Sequence, residues 1–146
     1  MKVLFICTGN MCRSPAAGKL LGHYGGTAGF FARSRGTAAQ PYCKMPRQIT
    51  AFLQRQGVTS LEHKPAQVAE ADIDWADLIL VMEELHRDIL ADKYPQSMRK
   101  TQLFLDYAGK SGELRDPMGK SDKIFEEVLK QIDDCVKKII SRKEKE

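Results

Sequence analysis

The stretch Cys7-Thr8-Gly9-Asn10-Met11-Cys12-Arg13-Ser14-Pro15 constrains the fold of this chain more than any other. It follows the apolar run Val3-Leu4-Phe5-Ile6, which has the length and β-branched content of a buried strand. It ends at a helix start, where Ser14 reads as the N-cap and Pro15 as the first helical residue. A strand therefore runs through a tight loop into a helix. Gly9 and Asn10 tolerate the backbone angles that turn successive N–H groups toward one point. Such a nest at a helix N-terminus receives an anion, because unpaired donors and the positive end of the helix dipole converge there. Cys7 opens the nest and Arg13 closes it, so a thiol and a guanidinium face the same anion. The field that holds an anion also favours thiolate over thiol, and a thiolate aimed at a bound oxyanion is a nucleophile for phosphoryl transfer.

The 146 residues, 42% hydrophobic and 29% charged, suit one domain spanning 1–146 with a substantial core. No apolar run approaches the ~20 residues of a membrane span, and no signal peptide is recognisable ahead of the first strand, so a cytoplasmic protein is expected. The net charge of +4 is spread along the chain and interleaved with acids, which fits an anionic substrate and gives no sign of nucleic-acid or membrane binding. Cys43 and Cys135 stand apart from Cys7 and Cys12, so the four cysteines do not read as a disulfide framework. Cys7 and Cys12 have a spacing usable by zinc, but no second ligand pair accompanies them and no metal is expected.

Downstream, helical spacing of Ala16, Ala17, Leu20 and Leu21 predicts a helix to about Tyr24, ended by Gly25-Gly26. Phe30 to Arg33 reads as a second strand and Ser34 to Thr37 as the loop leaving it, with Arg35 a solvated cation near the sheet edge. Pro46 opens a helix that buries Ile49, Phe52 and Leu53 and ends at Gly57. Leu78-Ile79-Leu80-Val81-Met82 is the strongest strand signal, apolar throughout as a strand buried on both faces requires. Glu83-Glu84 open the next helix, where acids complement the dipole, and it stops before Pro95. Thr101 to Leu105 reads as the fourth strand. Glu113 to Gly119 is a loop, and from Ser121 a long amphipathic helix carries Ile124, Phe125, Val128, Leu129, Ile132, Cys135, Val136, Ile139 and Ile140 on one face. The charged tail Ser141 to Glu146 reads as frayed. Strands alternating with helices imply an α/β three-layer sandwich, a four-stranded parallel sheet between helices, with the Cys7 loop at the carboxyl end of the first strand. Gly119-Lys120-Ser121 is not a nucleotide P-loop, since Leu stands at 114 where that motif needs glycine and no strand leads in.

A thiolate that displaces an alkoxide or phenoxide from phosphorus needs a general acid opposite it. Asp116, followed by Pro117 in the loop before the last helix, is the candidate. Cys-x5-Arg-Ser after the first strand, together with Asp116-Pro117, resembles the low-molecular-weight protein tyrosine phosphatase family, including bacterial members that act as protein-arginine phosphatases. The resemblance extends to Ser34–Thr37, His63–Gln67 and Asp77–Glu84. It implies that Cys7 is the nucleophile, Arg13 the binder of equatorial phosphoryl oxygens and Asp116 first acid, then base. By the same resemblance Ser14 supports the Cys7 thiolate, Asn10 braces the loop, and His63 hydrogen-bonds Asn10. The amides from Thr8 through Gly9, Asn10, Met11 and Cys12 to Arg13 supply the cradle, with no cofactor. Tyr42 would lie at the pocket rim. Cys12 is either inert packing or, as the family uses it, a thiol that traps oxidised Cys7 as a disulfide. The implied partners are a phosphorylated protein or a small aryl phosphate, with inorganic phosphate as product and inhibitor.

Two departures qualify the substrate. Met118-Gly119 stands where many members carry aromatic residues that sandwich a phosphotyrosine ring. Met11 stands where the arginine-specific members carry a threonine that selects a guanidinium phosphate. An aryl-type or broad-specificity phosphatase is therefore the first reading and a protein-arginine phosphatase the second. A thiol-dependent arsenate reductase would need further cysteines around 80–90, which are absent. A non-catalytic anion-binding module would not need Cys7, Arg13 and Asp116 together.

Overall fold

The computed structural model describes residues 1–145. Strands β1 (Lys2–Cys7), β2 (Phe31–Gly36), β3 (Leu78–Val81) and β4 (Thr101–Leu103) form one parallel sheet in the order β2-β1-β3-β4. Between and after them run α1 (Arg13–Gly25), α2 (Arg47–Arg55), α3 (Glu70–Trp75), α4 (Glu84–Lys93), α5 (Phe104–Tyr107) and α6 (Asp122–Glu144). No helix among the described residues is long and apolar enough to cross a membrane.

The continuous apolar run of β1 has a structural cause, because its alternate side chains serve two cores. Val3, Phe5 and Cys7 pack with Leu20 of α1, Phe52 of α2 and Val136 of α6. Leu4 and Ile6 pack on the other face with Ile73 of α3, Ile79 and Val81 of β3, and Leu90 of α4. Phe5 meets Phe104 edge to face, with ring centroids 5.6 Å apart and planes at 88°. The result is the three-layer sandwich expected from the alternation of strands and helices.

The chain leaves β1 to pair β2 on one side and later returns to place β3 on the other. Connections therefore diverge at the carboxyl end of β1 and open a crevice there, the usual ligand site of a doubly wound sheet. Cys7 is the last residue of β1, so the topology itself brings the thiol to that crevice.

Four local expectations are corrected. Strand β2 continues to Gly36 instead of ending at Arg33, because ladder pairing with β1 runs from Lys2–Phe31 to Cys7–Gly36. Arg35 is not a solvated cation: its Nε lies 3.2 Å from Asp72 Oδ2, and Arg33 Nη1 lies 3.3 Å from Asp72 Oδ1, so one buried carboxylate holds both edge-strand arginines. Strand β4 stops at Leu103, since Phe104 and Leu105 both pack into the same core, as adjacent helical residues can and adjacent strand residues cannot. The tail is helical to Glu144, tied down by Arg142 Nη1 on the Tyr107 carbonyl at 2.8 Å and by Lys143 over the Phe30 ring; Glu146 lies outside the described residues.

The segment after β2 passes directly under the Cys7 loop. Thr37 N–H donates to the Cys7 carbonyl and Ala38 N–H to the Thr8 carbonyl, both at 2.9 Å. That approach needs glycine at 36: a Cβ there would fall 2.5 Å from the Thr8 carbonyl oxygen and 3.1 Å from Asn10 Cβ. Gly36→Ala is therefore expected to lower stability by about 1–3 kcal/mol and to weaken phosphate binding as the loop is displaced, measurable by denaturant unfolding and by titration with inorganic phosphate. An unchanged midpoint and affinity would show that the loop tolerates the displacement.

Candidate active site

Residues 8–12 form the turn from β1 into α1, and Asn10 takes φ of 56°, the one positive value among described residues other than glycine. Asparagine tolerates this left-handed conformation better than most residues. Its side chain is fully buried and its polar atoms are all engaged. Ala66 N–H donates to Asn10 Oδ1 at 3.0 Å, which turns Nδ2 toward Ser14 Oγ at 2.8 Å. His63 Nε2 lies 2.7 Å from the Asn10 carbonyl, the contact expected of it. Burial, with Lys19 and Arg35 adding to it, lowers the pKa of His63, opposed by the bond to Asn10, so it donates as a neutral ring.

Ser14 does not cap α1. The helix begins at Arg13, and Cys12 occupies the capping position without a side-chain hydrogen bond. The physical reason is position: as the second helical residue, Ser14 lies past the point from which a side chain caps the first amides. Ser14 is buried in the first turn, where its Oγ accepts from Asn10 and lies 2.9 Å from Cys7 Sγ. Either atom can donate across that contact, and the Ser14 hydroxyl also has the Arg35 carbonyl 3.4 Å away as an acceptor. A chain of hydrogen bonds thus runs from Ala66 through Asn10 and Ser14 to Cys7.

Arg13 is almost wholly buried. Its Nη1 bonds Glu83 Oε2 at 2.7 Å and the Leu114 carbonyl at 2.8 Å. Both Nη1 hydrogens are thereby used, which leaves the Nε and Nη2 edge for a bidentate oxyanion. Asp116 Oδ2 stands 3.9 Å from Nη2, and Asp116 Oδ1 accepts from Met118 N–H at 3.0 Å. The loop carrying Asp116 is anchored by fully buried Leu114, whose N–H donates to the Met82 carbonyl at the end of β3. Arg13 therefore joins the nest to the loop opposite.

Cys7, Thr8, Met11 and Cys12 with Arg13, Asp116 and Met118 surround a cavity of about 230 Å³. Its wall on the Met118 side is thioether rather than aromatic: Cys12 S–H donates to Met118 Sδ at 3.0 Å. Burial, with Cys7 and Asp116 adding to it, pushes the Cys12 thiol up to about 12, so Cys12 is held as a thiol beside the candidate nucleophile. Gly9 lies against Met11, where a Cβ would meet Met11 Cε at 3.3 Å. Tyr42, expected at the rim, is 78% exposed and does not line the cavity. Among the described residues no group of three or more His, Cys, Asp or Glu side chains could hold a metal ion.

Sequence reasoning missed three participants. The helix dipole alone explains an acid at Glu83 in the sequence, yet an acid directly beyond the strongest strand, at the carboxyl edge of the sheet, is also a signal for an ion pair with Arg13. Leu114 acts through its backbone, which leaves no signature in residue type. His86, fully buried, lies with its Nε2 2.8 Å from Thr8 Oγ1 and its Nδ1 3.1 Å from Glu83 N, a placement that only the packing of α4 decides.

A buried cysteine at the mouth of uncapped amides, with a fixed guanidinium and a carboxylate across a small cavity, defines the class of cysteine-dependent phosphoryl-transfer proteins. Comparison with known proteins narrows the class. The family model for low molecular weight phosphotyrosine protein phosphatase matches residues 2–146, and the chain belongs to that family. It is 28% identical over 148 residues to a protein-arginine-phosphatase of Geobacillus stearothermophilus, covering 97% of this chain and 95% of that one. It is 31% identical over 145 residues to the low molecular weight protein-tyrosine-phosphatase PtpB of Staphylococcus epidermidis, covering 95% and 96%. Its structure superposes on a YwlE arginine phosphatase cysteine-to-serine mutant with a phosphorylated active-site serine at a TM-score of 0.92, with 27% identity, covering 100% of this chain and 97% of that one.

Burial, reinforced by the Arg13 charge, lowers the pKa of His86 to about 4, opposed by Glu83, Asp116 and Glu113. Its unfolded-state value is about 6.5. Above that pH neither state is protonated, so His86 contributes no pH dependence. As pH falls from 6.5 to 4 the unfolded chain takes up the proton first, and the folded state is expected to lose about 3 kcal/mol from this group. Urea unfolding across that window should give a steeper loss for wild type than for His86→Gln; parallel curves would mean that His86 is not the cause.

Proposed function

We propose that this chain is a cysteine-dependent phosphatase acting on protein phosphotyrosine or other aryl phosphates, with Cys7 as nucleophile. The observation that carries the reading is the contact of Ser14 Oγ with Cys7 Sγ at 2.9 Å, across the cavity from Asp116. Once Cys7 is ionised its sulfur can only accept, so the hydroxyl donates to it, stabilises the thiolate and serves a sulfur that both attacks and leaves.

In the first step the Cys7 thiolate attacks phosphorus, the bond from phosphorus to the ester oxygen breaks, and the Asp116 carboxylic acid gives its proton to the departing oxygen. The loop amides and the Nε–Nη2 edge of Arg13 meet the charge on the equatorial oxygens. In the second step the Asp116 carboxylate takes a proton from water, the resulting hydroxide attacks the cysteinyl phosphate, and the sulfur–phosphorus bond breaks to return the thiolate and release inorganic phosphate. Positive charge on the loop, the helix terminus and Arg13 supplies what a metal ion would otherwise supply. A cytoplasmic setting, where thiols stay reduced, suits this chemistry. The proximity of Cys12 in the same loop suits a role in trapping oxidised Cys7 as a disulfide.

A second reading, protein-arginine phosphatase, draws support from the arginine phosphatases among the similar proteins. The thioether wall of Met11 and Met118 favours the first: it packs on a flat ring but offers a guanidinium no strong hydrogen-bond acceptor.

Wild type is expected to hydrolyse a chromogenic aryl phosphate under reducing conditions without added metal, and phosphotyrosine peptides faster than phosphoarginine peptides. Cys7→Ser should abolish turnover while still binding phosphate. The reverse peptide preference would establish the second reading. Asp116→Asn should slow esters with poor leaving groups about 100-fold or more and those with good ones far less; equal slowing of both would remove Asp116 from the role of general acid.

A further inference from the structure

His86 belongs to α4, on the face of the sheet away from α1, yet its ring reaches the second residue of the nucleophile loop. Its two nitrogens have unequal partners. Glu83 N–H is an obligate donor, so Nδ1, 3.1 Å away, must accept. A neutral imidazole then carries its hydrogen on Nε2, and Nε2 lies 2.8 Å from Thr8 Oγ1. The Thr8 oxygen therefore accepts from His86, and the single hydroxyl hydrogen is directed elsewhere. Thr8 is exposed and lines the cavity beside Cys7, and its hydroxyl has no other protein partner among the described residues.

We propose that His86 is a positioning residue: by donating Nε2–H to Thr8 Oγ1, it holds the Thr8 hydroxyl as a donor into the cavity, where it bonds the bound phosphoryl group. The inference rests on the phosphatase reading of the same site and adds a side-chain donor to the amide cradle. The neutral ring is essential, because an imidazolium would press a second N–H against the amide of Glu83. Burial and the Arg13 guanidinium keep the ring neutral, while Glu83, Asp116 and Glu113 are the acids that oppose them.

A structural role alone would make His86 only the acceptor that satisfies Glu83 N–H in the first turn of α4. Glutamine and glutamate both serve as such acceptors at this helix position. They differ in what they present to Thr8: the glutamine amide still donates, whereas the glutamate carboxylate forces the hydroxyl to donate backward. The experiment measures the Kd of inorganic phosphate by calorimetry for wild type, Thr8→Val, His86→Leu, the double variant Thr8→Val/His86→Leu, His86→Gln and His86→Glu. Thr8→Val and His86→Leu are each expected to weaken phosphate about tenfold, the loss of one hydrogen bond to a charged ligand. The double variant should be no weaker than Thr8→Val alone. His86→Gln should stay within about twofold of wild type, with His86→Glu falling at least as far as His86→Leu.

An equal factor for His86→Leu with and without the Thr8 hydroxyl would overturn the proposal, as would an unchanged Kd in Thr8→Val. Should His86→Leu fail to fold, equal affinities for the glutamine and glutamate variants would overturn it instead. Phosphate affinity is read without turnover, so absence of aryl phosphate hydrolysis by wild type would count against the phosphatase reading and not against this one.

Discussion

Among the described residues no side chain caps the amides at the N-terminus of α1, and the surrounding structure holds them that way. Helix starts are ordinarily capped by a side chain, and this one has Ser14 close at hand, yet its Oγ lies between the Asn10 amide and the cysteine sulfur. The loop is instead secured from outside its own turn. His63 and Ala66 hold Asn10 from one side, Gly36 and the residues after it pass beneath, and Arg13 is clamped by Glu83 and Leu114. Each contact satisfies a polar group other than the amides facing the cavity. A loop with a left-handed asparagine costs free energy to hold, and this web of buried hydrogen bonds offsets it.

Hydrogen-bond direction is the second organising principle of the site. Because backbone N–H groups can only donate, they set the polarity of the side chains they meet. Ala66 N–H orients the Asn10 amide, which donates to Ser14 Oγ beside Cys7; Glu83 N–H orients the His86 ring, which orients the Thr8 hydroxyl. Two backbone amides, one on each side of the nest, thus set the polarity of the hydrogen bonds that reach the Ser14 and Thr8 oxygens. Preorganised donors of this kind need no rearrangement when charge arrives, the condition under which electrostatic stabilisation is most effective.

The carboxylate side of the cavity is built differently. Asp116 sits in an exposed loop and Met118 is 40% exposed, but Leu114 two residues earlier is fully buried and doubly hydrogen-bonded. The loop is thereby fixed at its base and open at its tip. The sulfur contact between Cys12 and Met118 links the tip to the nest through weak, deformable partners.

The amino-acid sequence by itself determined the sheet and the nest. Val3 to Ile6 and Leu78 to Val81 are apolar at every position, which only strands buried on both faces require, and Cys7 to Pro15 carries the residues a strand–loop–helix anion site needs. These features are legible because their causes are local: period, turn chemistry and chain direction. Tertiary structure alone decided the partners. Asp72 taking both Arg33 and Arg35, Glu83 clamping Arg13, and His86 reaching Thr8 each join residues some forty to eighty positions apart through side-chain geometry, and no local pattern encodes such meetings. The lengths of β2, β4 and α6 were likewise settled by what lay alongside, since a ladder partner, a shared core or a distant carbonyl outweighs the weak propensity of a few terminal residues.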